Sequence, residues 1–352
     1  MIRAGLIGFG LAGRVFHAPL LSSVDGFELS AIVERRTDHA ADRYPGIKTH
    51  RTVEAMLADS SLDLIVVATP NDSHFIYAKG AIEAGKHVVV DKPMCVCSAE
   101  IAQLVKLAAA RNVLLAPFHC RRWDSDFLTL RMLLQEGSLG RLVYFESTMD
   151  RWRPTPTARM PWKNDPAQGG LLLDLGTHLV DQSIALFGNP EAIFAEIKRE
   201  RDGEGANDCF TLRLRYSEFS VVLSANTLAA LERPRFHLRG TIGNYVKHGA
   251  DPQEAALSQI TCIGDGSWGQ ERPKRWGTLC VDVDGRIITQ PVESIPGDYR
   301  LYYAAVRDAL LGKGPAPVSA MAAWRVARLL EWAAESSEKR CEVVCDWSGE
   351  PK

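Results

Sequence analysis

The six residues Gly8-Phe9-Gly10-Leu11-Ala12-Gly13 constrain the chain more than any other stretch. They follow the apolar run RAGLIGF and open LAGRVFHAPLLSSV, whose apolar spacing is helical. Three glycines at this spacing arise by chance in many chains, but a strand before and a helix after are the context that gives them meaning. Gly8 permits a tight turn, Gly10 lets backbone approach a pyrophosphate, and Gly13 lets the helix pack close to the strand. The helix amino terminus then faces the phosphate charge. A dinucleotide site is the reading this turn supports.

The pattern continues through the first third. ELSAIVE, DLIVVAT, HVVVD and NVLLAPF read as strands, separated by the helical stretches SHFIYAKGAIEAG and SAEIAQLVKLAAAR. Runs rich in Val and Ile that alternate with helices predict a parallel sheet covered on both faces. Ligands of such sheets sit at the carboxyl ends of the strands, where the strand order reverses.

At 352 residues the chain exceeds the size of one hydrophobic core, so two domains are expected. Its 41 basic and 43 acidic residues leave a formal net charge of -2, which is no footprint for a nucleic-acid backbone. No apolar run reaches the length of a membrane span. The eight cysteines lack the spacing and the histidine partners of a zinc site, and free thiols in a cytoplasmic protein are the expectation. No metal is expected.

Several strand ends carry polar residues. The second strand ends at Glu34, 21 residues beyond Gly13, where a carboxylate would accept hydrogen bonds from a ribose and favour NAD. Arg35 and Arg36 follow at once, and guanidinium groups suit the extra phosphate of NADP. Glu34 tips the balance to NAD. The fourth strand ends in Thr69-Pro70-Asn71, with His74 opening the next helix. The fifth ends VVVDKP, placing Lys92 at a strand tip before a proline that stops the ladder. These tips belong to one edge, so the glycine turn, Thr69, Pro70, Asn71, His74 and Lys92 are expected around one crevice.

In the second half, GGLLLDLGTHLVDQSIALFG spans residues 169–188 and reads as one apolar helix. Asp174 and His178 stand four apart and should share a face. A carboxylate and an imidazole in so apolar a helix need partners or a task.

Taken together, Gly8 to Gly13, Thr69-Pro70-Asn71, Asp91-Lys92-Pro93 and Asp174-Leu175-Gly176-Thr177-His178 resemble the glucose–fructose oxidoreductase / inositol dehydrogenase family (Gfo/Idh/MocA). HCRRWDSDFLTL and YVKHGADPQEA resemble its scyllo-inositol dehydrogenase-like branch, whose members are mostly NADP-linked. The resemblance implies a Rossmann domain over residues 1–120. An α/β domain with a large, mostly antiparallel sheet would follow over 121–352, with a helix near 320–337 at the junction. It implies Lys92 as catalytic lysine with Asp174 and His178 as partners, although Asp91 stands where the family usually has Glu. It further implies hydride transfer between a nicotinamide and a secondary alcohol or ketone of a cyclitol, polyol or sugar. A homodimer or homotetramer would form through the second sheet. Cys120, where related sequences often carry Asn or Met, is a candidate substrate contact, as are Arg122 and Arg153. A ligand-sensing regulator on the same fold, or an oxidoreductase acting on a non-sugar substrate, is the alternative reading.

Overall fold

The Val- and Ile-rich runs of the first third form six parallel strands: β1 (Ile2–Ile7), β2 (Phe27–Val33), β3 (Lys48–His50), β4 (Leu64–Val67), β5 (His87–Val90) and β6 (Leu115–Pro117). Their order is β3-β2-β1-β4-β5-β6 in the computed structural model, which describes residues 1–156, 161–259, 263 and 267–351. Every residue of β4 is buried, because helices cover both sides of the sheet. The order reverses between β1 and β4, so the ends of these strands border the ligand crevice of a Rossmann sheet.

A second sheet of nine strands is built from β7 (Leu142–Thr148), β8 (Ala192–Lys198), β9 (Cys209–Arg215), β10 (Ser220–Asn226), β11 (Phe236–Gly240), β12 (Gly243–Lys247), β13 (Gly277–Val283), β14 (Arg286–Val292) and β15 (Val343–Val344). Only the β7–β10 pair is parallel; the other neighbours run antiparallel. Strand β9 shows the alternation of a half-covered sheet: Phe210, Leu212 and Leu214 are buried, while Thr211, Arg213 and Arg215 face solvent. The buried side packs on the helices Ser125–Gln135, Thr177–Phe187 and Ala320–Lys339, through Phe127, Leu179 and Leu329 among others.

The helix Ala320–Lys339 lies between the sheets. Ala323, Trp324 and Ala327 join the core of the first, and Val326, Leu329, Leu330 and Trp332 that of the second. One helix thus carries two apolar stripes. A second late segment also returns to the first sheet, which the sequence reading did not anticipate. Helix Arg300–Leu310 packs Tyr302, Tyr303 and Val306 against Leu6, Leu20 and Phe118. Tyr302 donates its hydroxyl to the Pro117 carbonyl at 3.0 Å, and the Tyr303 hydroxyl lies 2.6 Å from His17 Nδ1. Burying each such ring stabilises the junction by roughly 1.5–3 kcal/mol.

Candidate active site

The glycine turn needs glycine at two positions for different reasons. Gly8 has φ +100°, and a Cβ there would meet the Ala68 carbonyl oxygen at 2.6 Å. A Cβ on Gly13 would lie 2.1 Å from the Gly8 oxygen, so only glycine lets the helix approach the strand. Gly10 is the reverse case. Nothing lies within 4 Å of a Cβ built there, and the residue borders a cleft of about 390 Å³. Open space over bare backbone at a helix amino terminus is what a pyrophosphate requires, so these residues fit a dinucleotide.

The β4 and β5 ends are bound to each other and to the second domain. His74 is fully buried, with Nδ1 2.8 Å from the Pro93 carbonyl oxygen and Nε2 2.8 Å from that of Thr69. It therefore fastens the Thr69-Pro70-Asn71 loop to the Lys92-Pro93 tip and does not line the cleft as expected. Asn71 Nδ2 donates to the Gln168 carbonyl at 2.8 Å, so the first domain grips the segment that leads into Gly169-Gly170.

Lys92 is held from two sides. Its backbone N–H donates to Asp91 Oδ1 at 2.8 Å. Its Nζ donates to the Asp174 carbonyl at 2.7 Å and to Asp174 Oδ1 at 2.9 Å. Lys163 Nζ shares Oδ1 at 3.0 Å, and Arg151 approaches Oδ2 at 3.7 Å. Burial pushes the Asp174 carboxyl up, but Lys92, Lys163 and Arg151 outweigh it and hold the group well below the usual carboxylate range. Asp91 is likewise pushed up by burial and brought below its usual value by His17, Lys92 and His74.

His178 borders the same cleft and is 5 % exposed. Burial, then the charges of Lys92, Arg121 and His119, hold its imidazole well below the usual histidine range. It is neutral near pH 7 and can take a proton. Asp174 does not orient it, contrary to the four-residue spacing: the Asp174 carboxylate turns to Lys92 and Lys163, and His178 Nδ1 has no hydrogen-bond partner. The reason is local. Residues Leu172–Gly176 form a π-helical turn before the α-helix Thr177–Phe187 begins, so the regular α-helical spacing between Asp174 and His178 does not hold, although both border the cleft.

Three other expected contacts are placed differently. Arg122 donates Nε and Nη2 to the buried Asp181 carboxylate at 2.8 and 2.7 Å and does not border the cleft. Glu34 is 7 % exposed; its carboxylate accepts from the Thr37 hydroxyl and, at 3.0 Å, from the Ala40 N–H. It holds its own loop. Arg35 and Arg36 are exposed, with Arg35 donating to the Tyr77 hydroxyl. Cys120 and Arg153 do border the cleft, as do Gly10, Thr69, Pro70 and Asn71. Burial pushes the Cys120 thiol well up, so it is a small neutral wall. The sequence reading missed Arg151, Lys163, Arg121 and Glu254, all at the cleft. For Arg151 a signal existed: in MDRWR the arginines alternate with Trp152 as on a strand.

His119, 1 % exposed, lies 3.7 Å from Asp181, and burial holds its imidazole below the usual range. A depressed histidine pKa means that the unfolded chain binds the extra proton first, so this residue's contribution to stability falls as pH drops below about 6.5. Asp251, pushed up to about 6 mainly by burial, has the opposite sign, because the folded state takes its proton first. The histidine effect is therefore a difference between proteins. Relative to wild type, His119→Gln should gain roughly 1 kcal/mol per pH unit between pH 6.5 and 5 in urea unfolding. Parallel stability curves would show that the folded state protonates His119 as readily as the unfolded chain.

Comparison with known proteins identifies the family of the chain. Residues 2–119 match the model of an oxidoreductase family's NAD-binding Rossmann fold, and residues 131–345 match the C-terminal alpha/beta domain of the same family. The chain is 42 % identical over 97 % of its length to YdgJ, an uncharacterized oxidoreductase of Escherichia coli K12, covering 98 % of that protein. It is 34 % identical to IolW of Bacillus subtilis 168, named scyllo-inositol 2-dehydrogenase (NADP(+)), over 98 % of this chain and 96 % of IolW. The solved structure of the Bacillus subtilis oxidoreductase-like protein yvaA superimposes with a TM-score of 0.94 at 33 % identity, covering 98 % of this chain and 99 % of that one.

Proposed function

The chain belongs to the Gfo/Idh/MocA oxidoreductase family, and from that premise we propose that it interconverts a secondary alcohol and a ketone on a polyol, cyclitol or sugar. The observation that carries the proposal is the placement of the Lys92 ammonium and a neutral His178 in the cleft that Gly10 borders. A bound nicotinamide dinucleotide supplies the hydride acceptor or donor. Residues 1–120 bind it, with Gly8, Gly10 and Gly13 forming the pyrophosphate turn and Thr69, Pro70 and Asn71 walling the cleft. Residues 121–352 contribute the substrate side.

For oxidation, His178 accepts the hydroxyl proton of the reacting alcohol. Lys92 donates a hydrogen bond to the oxygen as negative charge develops on it. Asp174 fixes the ammonium and is itself kept ionised by Lys163 and Arg151. In reduction the proton returns from His178. Nothing in the site favours a sensor: such a protein has no use for a neutral base beside a clamped ammonium.

The test is a panel of polyols, cyclitols and keto-sugars followed by nicotinamide absorbance, with NAD and NADP in parallel. Turnover on at least one member supports the reading. Flat traces over the whole panel, with tight dinucleotide binding, would favour the sensor.

For the cofactor, the buried and occupied Glu34 moves the balance from NAD to NADP. Arg35 and Arg36 remain at the surface to pair with the added phosphate, and the relative IolW is named as an NADP+ enzyme. Hydrogen bonds to charged groups contribute roughly 1.5–3 kcal/mol. Arg35→Ala with Arg36→Ala should therefore raise the Kd for NADP about tenfold or more and leave that for NAD nearly unchanged. Glu34→Ala should lower stability by about 1–3 kcal/mol without selectively harming NAD, since it strands the Ala40 N–H. Selective loss of NAD binding would restore the ribose role.

A further inference from the structure

Beyond β7 the chain stays extended and pairs with the end of β10. Met149 N–H donates to the Ser224 carbonyl at 3.0 Å, Arg151 N–H to Asn226 at 2.8 Å and Arg153 N–H to Thr227 at 2.7 Å. Alternation then puts Asp150 and Trp152 on one side and Arg151 and Arg153 on the other. The outer pair behaves accordingly: Asp150 pairs with Arg233, and Trp152 is exposed. The other two line the active cleft, Arg151 half-buried and Arg153 exposed at its edge.

The cleft carries more positive charge than it can neutralise. Lys92, Arg121, Arg151, Arg153 and Lys163 border it, against Asp91, Asp174 and Glu254. That is five cations and three carboxylates. Arg121 is spoken for by Glu254 and Asp124. Lys92 and Lys163 share Asp174. Arg151 has only a distant share of the same carboxylate at 3.7 Å, and Arg153 has no ion-pair partner among the described residues. The Arg151 side chain is 26 % exposed, and Arg153, exposed at the cleft edge, adds like-charge repulsion to it. Two neighbouring guanidinium groups without a matching acid in a cleft give it a positive field that draws an anion.

We infer that the substrate carries an anionic group, a carboxylate or a phosphate, and that Arg151 and Arg153 hold it beside Lys92. The inference rests on the dehydrogenase reading above and narrows its substrate class to acidic polyols or sugars. The pyrophosphate turn borders the same cleft from the first domain, while Arg151 and Arg153 enter it from the second, so the anion site is tested with the dinucleotide bound. A planar guanidinium pair suits an oxyanion because each can donate two parallel hydrogen bonds. Two unmatched positive charges balance a phosphate dianion or a carboxylate with charge to spare.

The experiment compares kcat/KM for a neutral cyclitol, a hexuronate or aldonate, and a hexose phosphate, in wild type and Arg153→Gln. The acidic substrates should exceed the neutral one by tenfold or more, with the carboxylate and phosphate arms distinguishing the two anions. Arg153→Gln should lower kcat/KM for the preferred anion by about 10- to 100-fold, mainly through KM, and for the neutral substrate by a clearly smaller factor. Equal use of neutral and acidic substrates, or equal losses on both, would overturn the inference while leaving the dehydrogenase intact. If no substrate turns over, the dehydrogenase reading has failed. The anion site is then read directly, by titrating gluconate and glucose 6-phosphate against tryptophan fluorescence in the dinucleotide-loaded protein. Wild-type affinity no better than that of Arg153→Gln for both anions would overturn it there too.

Discussion

Lys92→Met should lower turnover by on the order of 10²–10³ and leave dinucleotide affinity within about twofold, since loss of one preorganised donor has that effect. The fold should survive the change. Asp174 keeps Lys163 at 3.0 Å and Arg151 at 3.7 Å, so its carboxylate is not stranded. Methionine also matches the lysine stem in length and can pack along the same wall. Lys92→Arg should fail as well: the ammonium bonds both the carbonyl and Oδ1 of Asp174 within 2.9 Å, and a planar guanidinium cannot take that compact geometry. His178→Ala should lose comparably, and the double variant should fall well short of the product of the two losses, because both residues serve one proton path. Single-turnover kinetics with a deuterated alcohol substrate separate this loss from slowed product release. A Lys92→Met protein turning over near the wild-type rate on its true substrate would sink the mechanism.

Asp174→Ala should be the most damaging single change. It removes the shared anion of Lys92, Lys163 and Arg151 and leaves three cations facing one another. Breaking a buried pair from one side costs about 3–5 kcal/mol, and the Asp174 side chain, 19 % exposed, should fall toward the lower figure. Turnover should drop with it, because the ammonium loses its anchor. The pH dependence follows from the depressed carboxyl. The stabilisation is complete above the unfolded value near 4 and is lost only as pH falls toward the lower folded value. The gap between wild type and Asp174→Ala in urea unfolding should therefore be constant from pH 7 to 5 and narrow below about pH 4. A variant as stable and active as wild type would mean that solvent, not this carboxylate, balances the three cations.

Much of the first domain was legible because its signals are local. The glycine turn depends on backbone conformation and on the clearance between Gly8 and Gly13, and both are properties of six neighbouring residues. The strand tips were legible for a similar reason. An apolar run that stops at Pro70 or Pro93 must place the residues around it at the sheet edge, whatever the rest of the chain does. The late tyrosine helix was not read as part of this domain, because the pattern of Tyr302, Tyr303 and Val306 says that a face is buried but not against what.

The site divides the same way. The sequence alone determined that Lys92 stands at a strand tip on the ligand edge, and that a carboxylate and an imidazole follow on an apolar helix. Only the tertiary structure decided which charges meet. Asp174, in the π-turn at Leu172–Gly176, pairs with Lys92 and not with His178. Arg122 is taken by Asp181, 59 positions away, and Glu34 by its own loop, while Lys163 arrives from a segment with no motif to announce it and Arg151 from a strand pattern that does not name its partner. Backbone geometry is set by near neighbours and can be read along the chain. An ion pair is set by the direction and burial of side chains brought together by packing, and no spacing in the sequence encodes that.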